Sequence, residues 1–579
     1  DSVLTNPVMP GAKWFEGAEL NYAENLLSGE SNQTAIVSVA EGREDKFYTF
    51  AELNSAVASA QKGLENLGVK EGTRVAAFVP NCVETVILML AVASSGGVWT
   101  SCSPDFGSQG VIDRFGQVEP EVLIVANGYN YNGKIFSLEE KINGVLNKID
   151  SIKHTICIEF VSLKYNLNHS SVINYDDLQL DSSDIPEFKQ LPFDHPLYIM
   201  YSSGTTGPPK SIVHGAGGTL IQHLKEHQLQ CDVQRGRDTL FWFTTCGWMM
   251  WNWLVSGLAS GATIVLYDGS PSHKGLGTLW NLAERTGITH FGTSPKFLSA
   301  CATESLVPKV NSDLSNLKSL LSTGSPLVPE QFDWVYDNVS SDIHLASISG
   351  GTDIIGCFLA GSPILPVYRG EIQCPQLGMD VQSWDEKGKS VIGKSGELVC
   401  TKPFPSMPIS FWNDSDGLKY HNAYFDEFPN VWTHGDYLEI TENQGAIIYG
   451  RSDTTLNPGG VRIGTAEIYR AVENLSTVED TVVVGRPNAG DVEIVLFVKL
   501  VDGADLNLDM ETKIRNTIRL MTTPRHIPKY IFSVTEIPYT ISGKKVEKAV
   551  LSTIVGKQVK NKDALANPES LSEYMNLSF

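Results

Sequence analysis

Apolar residues in this chain gather into short runs set between stretches of helical periodicity: Arg74 to Val79, Val83 to Ala93, Val122 to Ala126, Ala262 to Tyr267 and Lys318 to Ser322. An apolar run without polar alternation predicts an element covered on both faces, and such runs alternating with helices predict parallel sheets under helical layers. The expected fold class is therefore α/β. Near residue 450 the texture changes. After Gly445-Ala-Ile-Ile-Tyr-Gly-Arg-Ser-Asp453 comes a Gly/Pro-rich loop, then a compact α+β pattern to Phe579. We place a boundary at Asp453, which divides 1–452 from 453–579; about 125 residues are enough for a small separate domain. No repeat of fixed period is evident, and the longest apolar run, around Val86 to Val92, is too short to span a bilayer.

Composition narrows the function classes. The chain has 579 residues, 42% hydrophobic and 19% charged, which can bury cores and exceeds what one core normally holds. A formal charge of −22 argues against a nucleic-acid surface, so cations inside motifs carry extra weight. Nine cysteines without a CxxC pair read as reduced thiols, and no signal peptide is legible, so a soluble cytoplasmic (cytosolic) protein with no membrane partner is expected. Asp rather than Met at position 1 leads us to expect residues upstream. The triplets at Asn338 and Asn474 match glycosylation acceptors but arise readily by chance.

The first candidate chemistry is Tyr201-Ser-Ser-Gly-Thr-Thr-Gly-Pro-Pro-Lys210, directly after the apolar run Leu197 to Met200. Gly204 and Gly207 free the backbone to fold tightly, so main-chain N–H groups and the hydroxyls of Ser202, Ser203, Thr205 and Thr206 can converge on oxyanions, with Lys210 as a point charge. The spacing does not fit the usual nucleotide loop, which needs four residues between its first glycine and Gly-Lys-Ser/Thr. Taken alone, such a Ser/Thr/Gly string also reads as a linker.

This loop resembles the signature of the adenylate-forming enzymes, and further strings match that family in order. Gly350-Gly-Thr-Asp353, Thr433-His-Gly-Asp436, Tyr449-Gly-Arg-Ser-Asp-Thr-Thr-Leu-Asn-Pro-Gly-Gly-Val-Arg462 and Ser542-Gly-Lys544 span the chain. The resemblance implies a large multi-sheet N-terminal domain and a small mobile α+β lid, with the active site between them. It implies that an acid reacts with ATP and Mg²⁺ to give an acyl adenylate and pyrophosphate, and that coenzyme A then takes the acyl group. By the same resemblance the loop holds the β- and γ-phosphates, Thr352 contacts the α-phosphate and Asp353 the metal. Gly351 and the backbone of Gly324, Ser325 and Pro326 serve the nucleotide, and Asp436 holds the ribose hydroxyls. Arg451 reaches ribose and phosphate, Arg462 the α-phosphate, Asp453 is the hinge, and Lys544 is the catalytic lysine, whose acetylation would erase its charge.

Within that family the opening at Trp14 to Asn25 is shared in outline with the acetate-activating members, while Ile348-Ser-Gly-Gly-Thr-Asp353, Gly247-Trp-Met-Met-Trp-Asn-Trp253 and Pro538 to Glu547 look like the branch that activates acetoacetate. Acetate-activating members carry a tryptophan at the position of Gly350, so glycine there implies a deeper acyl pocket. Trp248 matches the acyl-pocket position, Asn252 one helical turn on is the expected donor to a keto group, and Lys134 and Arg519 align with positions that hold coenzyme A phosphates. Two departures stand out: Asp353 is one methylene shorter than the usual Glu, and Ser349 replaces an aromatic that stacks on adenine. Another short acid (acetate, propionate or butyrate), a carrier-protein adenylation domain, or an inactive nucleotide sensor would share much of the pattern; Lys544 and Asp353 speak against the last.

Other constellations are weaker. His223-Leu-Lys-Glu-His227 has the HxxEH spacing of a zinc site but lacks a third-ligand pattern, and Cys246 lacks partners for a nucleophile. Lys134, Arg515 and Arg519 also read as solvated surface charges.

Overall fold

A computed structural model describes residues 2–180, 185–202, 209–452, 455–461, 463–473, 475–539, 545–559, 565–575 and 577–579. By packing, the chain divides into two compact units. The first holds Asp1–Pro104, Phe115–Tyr201 and Ser211–Gly450; the second holds Asp105–Arg114, Ser202–Lys210 and Arg451–Phe579. The second unit thus begins two residues before the boundary read at Asp453, and draws in two short pieces of the earlier sequence.

The first unit contains two large, mostly parallel sheets. One runs in the order Val172–Asn174, His154–Ile158, Val122–Ala126, Arg74–Phe78, Val98–Cys102, Pro196–Ser202, Lys210–Gly215, Ser410–Phe411. The other runs His344–Ser347, Ser319–Ser322, His290–Thr293, Thr239–Trp242, Thr263–Asp268, Thr34–Ala40, with Lys46–Thr49 added antiparallel at its edge. Four of the five apolar runs read from the sequence lie on these strands. The fifth, at Val83, is a helix, Val83–Ser94, buried along its whole length. It packs against a strand of each sheet, so all its faces are covered and no polar stripe marks it as helical.

Two smaller antiparallel sheets complete the unit: Ser349–Gly351, Gly356–Ala360, Cys374–Pro375, and Val381–Trp384, Gly396–Cys400, Trp432–Ile440, Ala446–Arg451. They share an aromatic core in which Tyr424 stacks on Trp432 at 3.8 Å and Phe358 packs edge-on to Phe404.

In the second unit the strands Val478–Asn488 and Asp491–Leu500 form a long hairpin, joined by Tyr530–Ser533. Ala489 and Gly490 both have positive φ, 47° and 80°, as a two-residue turn matched to strand twist requires. A buried Arg114–Glu467–His526 triad (2.9 and 3.2 Å) fastens the 105–114 piece.

Glu84, in the first turn of Val83–Ser94, accepts from both Arg43 and Lys46 at 2.8 Å. Burial alone would raise its pKa, but attraction and hydrogen bonds from the two cations override this and hold it at about 2, against 4.5 when unpaired. The folded pKa is depressed, so the stabilisation is fully present above pH 4.5 and is lost as pH falls toward 2. Glu84→Gln should lower stability at pH 7 by about 3 kcal/mol, read from urea unfolding. A loss below about 0.5 kcal/mol would show that the cluster is an exposed-type pair of little consequence.

Candidate functional site

The loop between Pro196–Ser202 and Lys210–Gly215 has its centre, Ser203, Gly204, Thr205, Thr206 and Gly207, outside the described residues. Its flanks are in place: the buried Ser202 ends one strand and the half-buried Lys210 opens the next. Asp453, Arg462 and Lys544 also lie outside the described residues. The stretch holding Lys544 is bracketed by Tyr539 and Lys545, which bridge antiparallel, and Lys545 is anchored to Glu473 and Asp480 at 2.5 and 2.8 Å.

The best-defined part of the site is the turn at Thr352–Asp353. Strands Ser349–Gly351 and Gly356–Ala360 pair with Gly350 opposite Cys357 and Gly351 opposite Gly356, which leaves a single 3₁₀ turn, Thr352–Ile354, to reverse the chain. Ile355 closes that turn at φ 45°, a left-handed conformation rare for a β-branched residue. Two buried histidines hold the turn's carbonyls. His214 Nε2 donates to Thr352 O at 2.8 Å, and His223 Nε2 donates to Ile355 O at 2.7 Å. Because a carbonyl only accepts, both rings must carry their proton on Nε2. Burial pushes His214 down to about 4 and His223 to about 3, so both are neutral near pH 7.

Asp353 is 1% exposed, and its Oδ1 accepts the Tyr424 hydroxyl at 2.6 Å. Asp436, on Trp432–Ile440, lies 3.5 Å from His434 Nε2, and the His434 ring also stands beside Gly351. The first unit therefore brings Gly351, Thr352, Asp353 and Asp436 together. Gly324 (φ 104°), Ser325 and Pro326 follow the strand Ser319–Ser322, and Thr323 Oγ1 in the same loop donates to Ile348 O at 2.8 Å, just before Ser349. Arg451 ends the strand Ala446–Arg451.

Two residues expected at the acyl pocket are closely packed. A Cβ on Gly350 would stand 2.1 Å from Gly356 O and 2.5 Å from Cys357 Cα. Two backbones meet at Gly350, so any side chain there requires the strand to move. Asn252 is buried on Met249–Ser256, and its amide bonds the Tyr198 hydroxyl. A small cavity behind the hairpin has Met250, Trp253, Ile348, Cys357 and Gln376 in its lining. Trp248 is the half-buried N-cap of the Met249–Ser256 helix.

Lys134 is exposed at a hairpin turn of the first unit, and Arg519 is exposed on Leu508–Met521 of the second. Arg515, on the same helix, spends its guanidinium on Glu511 and the carbonyls of Pro528 and Lys529. The HxxEH spacing makes no metal centre: His223 bonds Ser256 Oγ and Ile355 O through its two nitrogens, and among the described residues no cluster of three or more His, Cys, Asp or Glu could hold a metal. Cys246 is buried, with its thiol pushed well up by burial. Sequence reasoning missed His214, Tyr424 and His434; only His434, inside Thr433-His-Gly-Asp436, had a local signal.

The two clamping histidines should make stability fall with pH. Each is depressed in the folded state relative to 6.5, so its contribution is complete above pH 6.5 and declines as pH drops toward 4 (His214) and 3 (His223). The melting temperature of His223→Gln, which keeps a donor but cannot titrate, should fall less than that of the wild type between pH 6.5 and 5. Parallel curves would mean that His223 is not held neutral by the fold.

Residues 24–407 match the family model described as AMP-binding enzyme. The chain is 49% identical over 572 residues to an acetoacetyl-coenzyme A synthetase of Rhizobium meliloti (strain 1021), covering 98% of this chain and 88% of that one. It is 47% identical to the acetoacetyl-CoA synthetase of Mus musculus over 98% of this chain and 86% of the other. A solved structure, acetoacetyl-CoA synthetase from Streptomyces lividans, superposes with a TM-score of 0.77 at 43% identity, covering 99% of this chain and 88% of that chain. With its paired parallel sheets, its Thr352–Asp353 turn beside Asp436 and a family match over well more than half its length, the chain belongs to the AMP-binding enzyme family.

Proposed function

We propose that this protein ligates acetoacetate to coenzyme A, using ATP and passing through acetoacetyl-AMP, with AMP and pyrophosphate released. The observation that carries this reading is the near full-length likeness to relatives that bear the name acetoacetyl-CoA synthetase. The geometry agrees with it. A carboxylate is ionised at pH 7 and attacks the α-phosphorus without a protein nucleophile, so the protein has to supply position and charge.

The loop from Ser202 to Lys210 takes the β- and γ-phosphates. Thr352 takes the α-phosphate, Asp436 and Arg451 the ribose, and Gly351 with Gly324, Ser325 and Pro326 flanks the adenine. Mg²⁺ usually takes one or two protein carboxylates together with nucleotide phosphates. A buried carboxylate such as Asp353, whose Oδ1 Tyr424 steers, fits that demand, and the ion's chemistry would be to neutralise charge on the phosphates. Arg462 and Lys544 approach the α-phosphate and carboxylate during adenylation. The part beyond Asp453 then reorients, Lys544 withdraws, and coenzyme A, its phosphates held by Lys134 and Arg519, attacks the mixed anhydride. Acetylation of Lys544 would remove the same charge and act as an off switch.

Acid-dependent pyrophosphate release should be fastest with acetoacetate among acetoacetate, acetate, butyrate and 3-hydroxybutyrate. Lys544→Ala should lose about 10²-fold or more in that step, yet still convert supplied acetoacetyl-AMP and coenzyme A to the thioester. Equal loss in both half-reactions would sink the assignment of Lys544 to adenylation alone.

A further inference from the structure

We propose that the Gln376 carboxamide reads the 3-keto oxygen of the acyl group, and that the cavity it lines takes the terminal methyl. This rests on the acetoacetate reading above and adds the residue that separates acetoacetate from butyrate. The cavity has a volume of about 10 Å³, room for one water- or methyl-sized group. It lies directly behind the hairpin that carries Thr352 and Asp353, because Cys357 in its wall is the strand partner of Gly350. Met250, Leu321, Ala346 and Ile348 make much of the wall apolar.

The polar groups at this wall differ in what they have left to offer. Glu226 accepts from Gln222 Nε2 at 2.6 Å, Cys357 N at 2.9 Å and Trp253 Nε1 at 2.8 Å. Gln230 Nε2 donates to Gly361 O at 2.6 Å. Gln376 is 3% exposed; its backbone N–H bonds Phe358 O at 2.9 Å, and its side-chain Oε1 is buried with no partner among the described residues. A buried amide end without a partner is unfavourable unless something arrives to meet it. A half-turn of the amide presents the two Nε2 hydrogens in place of Oε1. The distal end of acetoacetate is one methyl and one carbonyl acceptor, which is what an apolar recess with one uncommitted amide would hold. Butyrate fills the recess equally well but leaves the amide unmet. Acetate does not reach it.

The test measures kcat/KM for acid-dependent pyrophosphate release with acetoacetate and with butyrate, in the wild type and in Gln376→Leu. Acetoacetate should fall about 10- to 100-fold, as when a site built to bond a substrate oxygen loses the bond, while butyrate falls no more than about threefold and the KM for ATP holds. Equal losses on the two acids, or no loss on either, would overturn the proposal, because a merely structural glutamine moves both together. Should Gln376→Leu not fold, Gln376→Met keeps length and flexibility and is judged by the same ratio. A wild type that releases no pyrophosphate with acetoacetate removes the functional reading and this inference together. A wild type that does, with an unmoved acid ratio in the variants, removes the inference alone.

Discussion

The site depends on a backbone reversal too tight for side chains. Between Gly350 and Gly356 the two strands approach so closely that a Cβ on either glycine would strike the opposite strand or the Gln222 and Glu226 side chains. A turn this closed buries its own carbonyls, and a buried carbonyl without a donor is unfavourable by about 1–3 kcal/mol. His214 and His223 supply those donors. They come from the strand and the helix that directly follow the 203–208 loop, so the hydrogen bonds that stabilise the reversal also fix it to the chain leaving that loop. The left-handed Ile355, a strain of about 1–3 kcal/mol, persists because its carbonyl is held from outside the hairpin.

Imidazole suits this task for an electrostatic reason. A lysine or arginine could donate to the same carbonyls, but its charge would sit among Asp353, Asp436 and any phosphate bound nearby. A histidine buried enough to stay neutral gives the hydrogen bond without placing a charge beside those carboxylates.

The sheets and the motif strings were legible in the sequence for different reasons. The parallel strands show because burial on both faces leaves unbroken apolar runs such as Val122 to Ala126. The same logic misled at Val83, where a helix covered on every side has no polar stripe to give its period away. The strings holding residues 352, 353 and 436 show because they match family motifs in residue type and order, and the fold brings those residues together. The histidine clamps did not show: their partners are carbonyls far away in sequence, and His223 with His227 copies the spacing of a metal site while its nitrogens serve Ser256 and Ile355. The close approach of two backbones at Gly350 did not show, since a sequence does not reveal what a Cβ would meet.

The state of the thiols follows from the same packing. An acyl adenylate acylates any thiolate within reach, so an enzyme that holds one gains from keeping its own cysteines protonated. Cys357 lines the cavity assigned here to the acyl end, yet its thiol is pushed well above its ordinary range by burial first and by nearby Glu226 second. Burial likewise raises Cys400 to about 12 and Cys301 to about 11. The Glu226 carboxylate that braces the hairpin from behind therefore has a second effect. It repels negative charge on the Cys357 thiol and so holds that thiol protonated.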